Sequence, residues 1–121
     1  MVRGARKDGL SRRHRFAVQG SFGPVLRSPR KLRGTIAQLH VAAGLPGVSR
    51  LGIALTRRNA PSSVLRNRIK RIVRELFRRH PVKLAGVDLV VALRMKLAPG
   101  GERALGPEVA ALLDQALARG R

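Results

Sequence analysis

Apolar residues recur along this chain at two spacings, one typical of helices and one typical of strands. The clearest helical spacing lies between Pro61 and His80, where apolar residues return every three or four positions. That spacing predicts an amphipathic helix whose apolar stripe packs on a core. The stripe consists of Leu65, Ile69, Ile72, Val73 and Leu76, with Phe77 at its border.

Two stretches before this helix alternate between apolar and smaller or more polar residues, as strands do. The first runs from Thr35 to Val41 and the second from Arg50 to Thr56, with a Gly-Leu-Pro-Gly turn at 44–47 between them. We expect the two strands to form an antiparallel pair with one face on the core and the other face open. The open face would carry Ile36, Gln38, His40, Gly52, Ala54 and Thr56.

The loop before the long helix contains residues that favour the start of a helix. Pro61 keeps Ala60 out of helical geometry, and either Ser62 or Ser63 can cap the first turn.

Two further helices are expected near the ends of the chain. One covers Ser21 to Arg27, with Ser21 as its N-cap and Pro24 in its first turn. The other covers Pro107 to Ala118, with Pro107 at its first position and Glu108 complementing the helix dipole.

A third strand completes the fold. Val87 to Leu93 is a nearly continuous apolar run, which predicts a strand buried on both faces. The predicted order is therefore α-β-β-α-β-α, a compact single-domain α+β sandwich with helices on one sheet and room for one more strand on the N-terminal side. We assign this domain to residues 14–121 and interpret the basic residues 1–13 as a flexible arm.

The side of the long helix opposite the apolar stripe is almost entirely cationic. Arg66, Lys70, Arg74 and Arg78 follow one another four residues apart, and Asn67 and Arg71 flank them. Like charges at this spacing repel, so a bound polyanion that neutralises them best explains the pattern.

Glu75 is the only acidic residue of this helix, and it can pair with Arg71 and Arg79, each four residues away. The alternative, a solvated helix whose arginines only maintain solubility, is disfavoured because such surfaces usually intersperse both signs.

The charge of the whole chain agrees with a polyanionic partner. With 26 Lys and Arg against six Asp and Glu in 121 residues, the formal net charge is +20, which indicates nucleic acid or an anionic membrane surface. The sequence has no run of apolar residues long enough for a membrane span and no apolar segment of a secretory signal, so we expect the cytoplasm. The absence of cysteine excludes disulfides and cysteine-based zinc sites.

Residues able to perform hydrolysis do not gather at any spacing typical of an active site. A metal-dependent nuclease usually brings two or more carboxylates together, and here neither the acids nor the histidines show such a grouping or a metal-ligand spacing. The chain also lacks a P-loop or a Gly-rich dinucleotide fingerprint. We therefore predict no catalytic residue and no metal site in this chain, whose acids and histidines are Asp8, Glu75, Asp88, Glu102, Glu108, Asp114, His14, His40 and His80.

The run RNRxKRxxRExFR at 66–78 is more specific than charge alone. It closely resembles the signature of the bacterial ribonuclease P protein component. The strand from Arg50 to Thr56 with the following Arg57 and Arg58 resembles the lead-in of that family, and Phe22 stands where the family has an aromatic residue in its first helix.

This resemblance implies a basic protein that assists a catalytic RNA. In the family, the RNA subunit performs the Mg²⁺-dependent hydrolysis that removes the 5′ leader from precursor tRNA, and no obligate protein partner is expected. The helix that carries the signature lies in a left-handed β-α-β crossover, an exception to the usual handedness. Carried over by position, the residues that bind the RNA subunit are Arg57, Arg58, Arg66, Asn67, Arg68, Lys70, Arg71, Arg74 and Arg78.

The resemblance also implies a cleft for the single-stranded leader between the first helix and the open sheet face. Carried over by position, its lining residues are Phe22, Leu26, Ile36, Gln38, His40, Gly52, Ala54 and Thr56. Because the chain has only three aromatic residues, Phe16, Phe22 and Phe77, leader binding should depend on backbone charge and aliphatic contact. His40 is the expected substitute for a stacking aromatic ring, and the alternative is an ordinary strand histidine without a binding role.

Three other classes of protein are alternatives to this interpretation. Charge and fold class would equally allow a ribosomal or other structural RNA-binding protein. A DNA-binding module is disfavoured because no helix precedes the basic helix at turn distance. A membrane-surface helix is disfavoured because the apolar stripe is needed for the core.

Overall fold

The computed structural model describes residues 23–119, so the predicted arm at 1–13, the N-cap Ser21 and the aromatic Phe22 lie outside the described residues. No helix within 23–119 is long and apolar enough to cross a membrane. A short 3-10 turn, Pro81–Leu84, precedes the last strand. In chain order, the elements are α1 (Gly23–Leu26), β1 (Lys31–Arg33), β2 (Ala37–Ala43), β3 (Arg50–Ala54), α2 (Ser63–Arg79), β4 (Val87–Leu93) and α3 (Glu102–Arg119).

The strands form one sheet in the order β1-β2-β4-β3. The additional N-terminal strand is thereby confirmed as β1, which pairs antiparallel with β2. The expected antiparallel pair of β2 and β3 is wrong, because β4 lies between them, antiparallel to β2 and parallel to β3. The physical reason is the composition of β4: a strand that is apolar on both faces gains most by burial in the interior of the sheet. The chain reaches that position from β3 through α2.

One face of the sheet supports the main core. Ala37, Leu39 and Val41 of β2 are fully buried on this face. The helices α2 and α3 pack against each other and against the sheet, α2 near β3 and α3 near β1 and β2. The predicted stripe of α2 is confirmed: Leu65, Ile69, Val73 and Phe77 are buried, and Leu76 packs partly buried against the same core.

The opposite face of the sheet is covered in part by α1. Cross-strand pairing places Val90 opposite both His40 and Gly52, so these three residues share this second face. Val90 is fully buried and Val25 of α1 is 3% exposed, yet neither belongs to the main core cluster. Since α1 contacts β2 and β4, we place it on this second face, across the sheet from α2 and α3.

The last helix begins five residues before its expected start. Glu102, not Pro107, stands in the first turn, and Pro107 lies inside the helix. Leu105 explains the difference, because it is fully buried and extends the apolar stripe one turn toward the N-terminus. Gly100, with φ of +90°, makes the turn that leads into this start.

Glu108 also has a different role from the one expected. Its carboxylate does not lie in the first turn of α3 but accepts hydrogen bonds from the backbone N–H groups of Thr35 (3.1 Å), Ile36 (2.8 Å) and Ala37 (2.6 Å). The side chain thus ties α3 to the turn between β1 and β2.

Candidate nucleic-acid interface

The N-terminus of α2 is stabilised by hydrogen bonds from residues at the start of the helix. Ser62 is the N-cap, and its side chain accepts a hydrogen bond from the N–H of Leu65 at 3.0 Å. Arg66 folds back and donates to the carbonyl oxygens of Ala60 at 2.8 Å and Pro61 at 3.2 Å. Of the residues expected to bind RNA, Arg66 is therefore partly occupied in holding the loop that precedes the helix.

The preceding loop is anchored to β4. The side chain of Asn59 donates to the carbonyl of Leu93 at 3.4 Å, and the N–H of Leu97 donates to the carbonyl of Asn59 at 2.9 Å. Arg57 and Arg58 lie in this loop, and both are exposed. The anchor places these two cations beside the start of α2, next to the signature run.

The outward side of α2 carries the remaining signature residues. Asn67, Arg68 and Arg71 are exposed and Lys70 is half-buried. Arg68 lies 3.5 Å from the carboxylate of Glu102, at the start of α3. Within residues 23–119, no acidic side chain pairs with Lys70 or Arg71. Arg71 lies near the middle of the outward side of the helix, as the periodicity predicts, whereas Arg68 and Lys70 lie on its opposite borders.

Glu75 neutralises the C-terminal end of the basic row. It pairs with Arg79 at 2.9 Å, as expected, but its second partner is Arg78 and not Arg71. The preference follows from side-chain direction: helical side chains point toward the N-terminus, so a cation that follows the glutamate reaches back to it more readily than one that precedes it. The hydrogen bond from Arg78 is the main cause of a lowered pKa for Glu75, and the same contact raises the pKa of Arg78.

The second sheet face brings together several of the residues expected to bind the leader. Register pairs Gln38 with Ala92, and Ala92 with Ala54, so Gln38 and Ala54 share the face that holds His40 and Gly52. Leu26 belongs to α1, which lies over this face.

Two of the expected leader residues lie beyond the strands. Ile36 is in the turn before β2, where it packs partly buried against the main core. Thr56 follows β3 and is exposed, and its hydroxyl accepts a hydrogen bond from the N–H of Asn59 at 3.1 Å.

His40 is enclosed within this face. Its side chain is 4% exposed, and its Nε2 lies 3.0 Å from the side-chain nitrogen of Gln38. A ring this buried offers no open face for stacking on a base in this conformation. Burial is the main cause of a lowered pKa for His40, and the positive charge of Lys31 adds to the effect, while the nearby backbone of Leu26 opposes it.

Sequence reasoning missed the charged residues around the second face. Arg50 forms a two-point contact with Asp88, Nε to Oδ1 at 3.0 Å and Nη2 to Oδ2 at 2.7 Å. Lys31 and Arg33 of β1 are exposed, opposite His40 and Gln38 respectively. The alternation Lys-Leu-Arg was a signal for these last two, but only the pairing of β1 shows which face they share.

Most carboxylate oxygens of the described residues are engaged by donors within the fold, although Glu102 Oε1 is buried without a hydrogen-bond partner. Asp88 pairs with Arg50 and Asp114 with His80, while Glu108 binds backbone N–H groups. Glu102 has a lowered pKa, caused mainly by hydrogen bonds from backbone N–H groups, with Arg68 adding to them. Within 23–119, no three His, Cys, Asp or Glu residues form a group that could hold a metal ion. This arrangement can bind a polyanion, but it lacks the paired carboxylates that metal-dependent hydrolysis uses.

Residues 10–117 match the family model described as Ribonuclease P. The chain belongs to the ribonuclease P protein family. The ribonuclease P protein component of Azoarcus sp. is 32% identical over 102 residues, which cover 84% of this chain and 85% of that protein. The protein component of Stutzerimonas stutzeri is 37% identical over 91 residues, which cover 74% and 70%.

Solved structures of ribonuclease P proteins have the same fold. The protein from Thermotoga maritima matches with a TM-score of 0.70 at 29% identity, over 84% of this chain and 96% of that one. The protein from Staphylococcus aureus matches with a TM-score of 0.68, over 85% and 94%; at 22% identity this second likeness concerns the fold alone.

Family membership accounts for the absence of an active site from the described residues. A ribonuclease P protein is a subunit of an endoribonuclease that matures the 5′ end of tRNA, and its catalytic partner is an RNA subunit. The protein contributes RNA binding, which agrees with the cationic side of α2.

Proposed function

We propose that this protein binds the ribonuclease P RNA subunit through the outward side of α2 and the 5′ leader of precursor tRNA through the second sheet face. The observation that carries the proposal is the separation of the two surfaces: α2 packs on one face of the sheet, whereas Gln38, His40, Gly52 and Ala54 belong to the other. Two RNA segments could therefore be held at once.

The chemistry of α2 supports the first half of the proposal. Arginine forks contact phosphates at two points and stack on exposed bases, and Arg68 and Arg71 present such forks on the exposed side of the helix. Directly before Arg68 along the chain, Asn67 can offer a donor and an acceptor to a base edge.

The second half rests on the shape and polarity of the sheet face. Gly52 and Ala54 have small side chains, Gly52 being buried and Ala54 half-buried, and the half-buried Gln38 offers an amide. Because His40 is buried, aliphatic contacts and the cations around this face would contribute more to leader affinity than base stacking would. We propose that this RNA binding takes place in the cytoplasm.

Neutralising phosphates would also assist the metal-dependent step. The cations of α2 lower the repulsion between the substrate and the RNA subunit, and this effect should reduce the Mg²⁺ concentration that the assembled enzyme requires. No carboxylate of the described residues is needed for that contribution.

A matched pair of substitutions tests the proposal in enzyme assembled from this protein and a ribonuclease P RNA. Arg71→Gln removes an outward cation of α2, and Arg103→Gln removes an equally exposed cation of α3. Arg71→Gln should weaken binding to the RNA subunit, make its log–log salt dependence shallower by roughly 0.7 to 0.9, and raise the Mg²⁺ concentration needed for leader removal.

Arg103→Gln is the control and should change none of these three quantities. Equal effects of the two substitutions would show that only net charge matters and would contradict a specific α2 interface.

A further inference from the structure

The edge strand β1 presents two cations that the proposed RNA surfaces do not use. Lys31 and Arg33 are exposed, whereas Leu32 between them is 6% exposed and belongs to the main core. Because successive side chains of a strand point to opposite faces, both cations point away from the core, toward the face that holds His40 and Gln38. The register agrees, since Lys31 lies opposite His40 and Arg33 opposite Gln38.

The ionised side chains of the segment around β1 are all cations. Residues 23–49 contain Arg27, Arg30, Lys31 and Arg33 but no acidic residue. Neither Lys31 nor Arg33 forms an ion pair within the described part of the chain. Side chains two positions apart along a strand are separated by about 6.8 Å, so the two charges repel each other unless an anion lies between or beside them.

These cations are continuous with the proposed leader surface. Lys31 pairs with His40 across the β1–β2 ladder, and its positive charge contributes to the lowered pKa of His40. Arg27, exposed at the end of α1, adds a third positive charge on the same side of the sheet. The basic strip of Lys31 and Arg33 therefore borders the row formed by Gln38 and His40, with no other strand between them.

We propose that Lys31 and Arg33 bind phosphates of the single-stranded 5′ leader and extend its path from β2 to the outer edge of the sheet. The proposal rests on the proposed function, because it needs the leader on the second face. The leader is favoured over the RNA subunit as the occupant because β1 and β3 are opposite edges of the sheet, about 14 Å apart. The strip also faces away from α2.

Protection of the edge strand is the competing explanation. Charged side chains on an edge strand prevent it from pairing with strands of other molecules. For that purpose the charges need not be positive, and RNA affinity would not depend on them. Measurements of RNA binding therefore separate the two explanations.

The experiment uses assembled enzyme with the double substitution Lys31→Gln and Arg33→Gln, which keeps Leu32 and the strand. Two substrates are compared, a precursor tRNA with a long leader and one whose leader is cut back close to the cleavage site. Affinity for the long-leader substrate should fall roughly two- to thirtyfold, and its log–log salt dependence should become shallower by about 1.4. Affinity for the short-leader substrate and for the RNA subunit should not change.

Two other results would overturn the inference. Equal losses on both substrates, or weaker binding to the RNA subunit, would assign the strip to the RNA subunit. Unchanged affinity for both substrates, with or without aggregation of the variant, would leave edge protection as its role.

Failure of the inference is distinguishable from failure of the proposed function. Arg71→Gln reports on the α2 interface in the same assay, and Arg103→Gln is the control for loss of one positive charge. A normal Arg71→Gln effect together with an unchanged double variant would reject the β1 strip and leave the α2 interface of the proposed function standing.

Discussion

Acidic side chains at 75, 88, 102, 108 and 114 each contact a donor of the fold. The contacts with Arg50 and with the β1–β2 turn join residues far apart in the chain, so these carboxylates act as structural ties. The position of Glu108 also explains why residue 34 is a glycine. A Cβ added to Gly34 would lie 2.5 Å from the Glu108 carboxyl carbon, so a larger residue would displace the Glu108 side chain from the β1–β2 turn. With the acids used in this way, the cations on the outer side of α2 and on β1 remain available for RNA.

His40 should make the stability of the protein depend on pH. Its folded-state pKa is lowered, chiefly by burial, so below its ordinary value of about 6.5 the unfolded chain binds more protons than the folded chain. The free energy of unfolding should therefore fall as the pH decreases from about 6.5 toward the lowered pKa, and this contribution should be absent above that window. Urea unfolding from pH 5 to pH 8 measures it.

The matched variant for this prediction is His40→Gln, which has no ionisable ring. Its unfolding free energy should decline less over the same interval. An equal decline in both proteins would show that other groups cause the pH dependence.

At the scale of elements, α2 depends on how it begins. Ser62 caps the helix, Arg66 closes the preceding loop, and Ala60 is fully buried beside them. The cap satisfies one of the backbone N–H groups that every helix leaves unpaired in its first turn. Because the signature residues start at position 66, the second turn of the helix, the cap also orients the RNA-binding side.

Ser62 and Ser63, at the start of the helix, form a matched pair for testing the cap. Ser62→Ala should lower the free energy of unfolding by about 0.5–2 kcal/mol, the usual cost of losing such a cap. Ser63→Ala should change it by less than about 0.5 kcal/mol, because Ser63 is the first helical residue and not the cap. Urea unfolding of both variants measures the difference, and equal losses would contradict the assignment of Ser62.

At the scale of the whole molecule, β4 holds the two RNA surfaces in a fixed relation. It pairs with β2 on one side and β3 on the other, and all its residues except the half-buried Ala92 are buried. Leu89 and Val91 support the core under α2 and α3, while Val90 supports the face under α1. Any change that loosens β4 should therefore disturb both surfaces.

Hydrogen exchange can test the central position of β4. Amides of Leu89, Val90 and Val91 should exchange most slowly, because they are flanked by strands on both sides and exchange only in large openings. Amides of the edge strand β1 should exchange faster. Protection of β1 equal to that of β4 would contradict this view of the fold.

Several features were predictable from the chain alone because their causes are local. The stripe of α2 and its cationic side follow from residues three and four positions apart, and the buried character of β4 follows from seven consecutive residues. The family resemblance was visible for the same reason, since its signature lies within one helix.

Other features depend on residues that are distant in sequence, and no local pattern specifies them. The place of β4 between β2 and β3 results from competition among strands for the sheet interior. The start of α3 depends on the burial of Leu105, and the role of Glu108 depends on Ile36, 72 positions earlier. The sharing of one face by Lys31, Arg33, His40 and Gln38 likewise arises from strand register. Helical periodicity and charge are thus properties of the chain, whereas strand order, register and ion-pair partners exist only when packing brings its separate segments together.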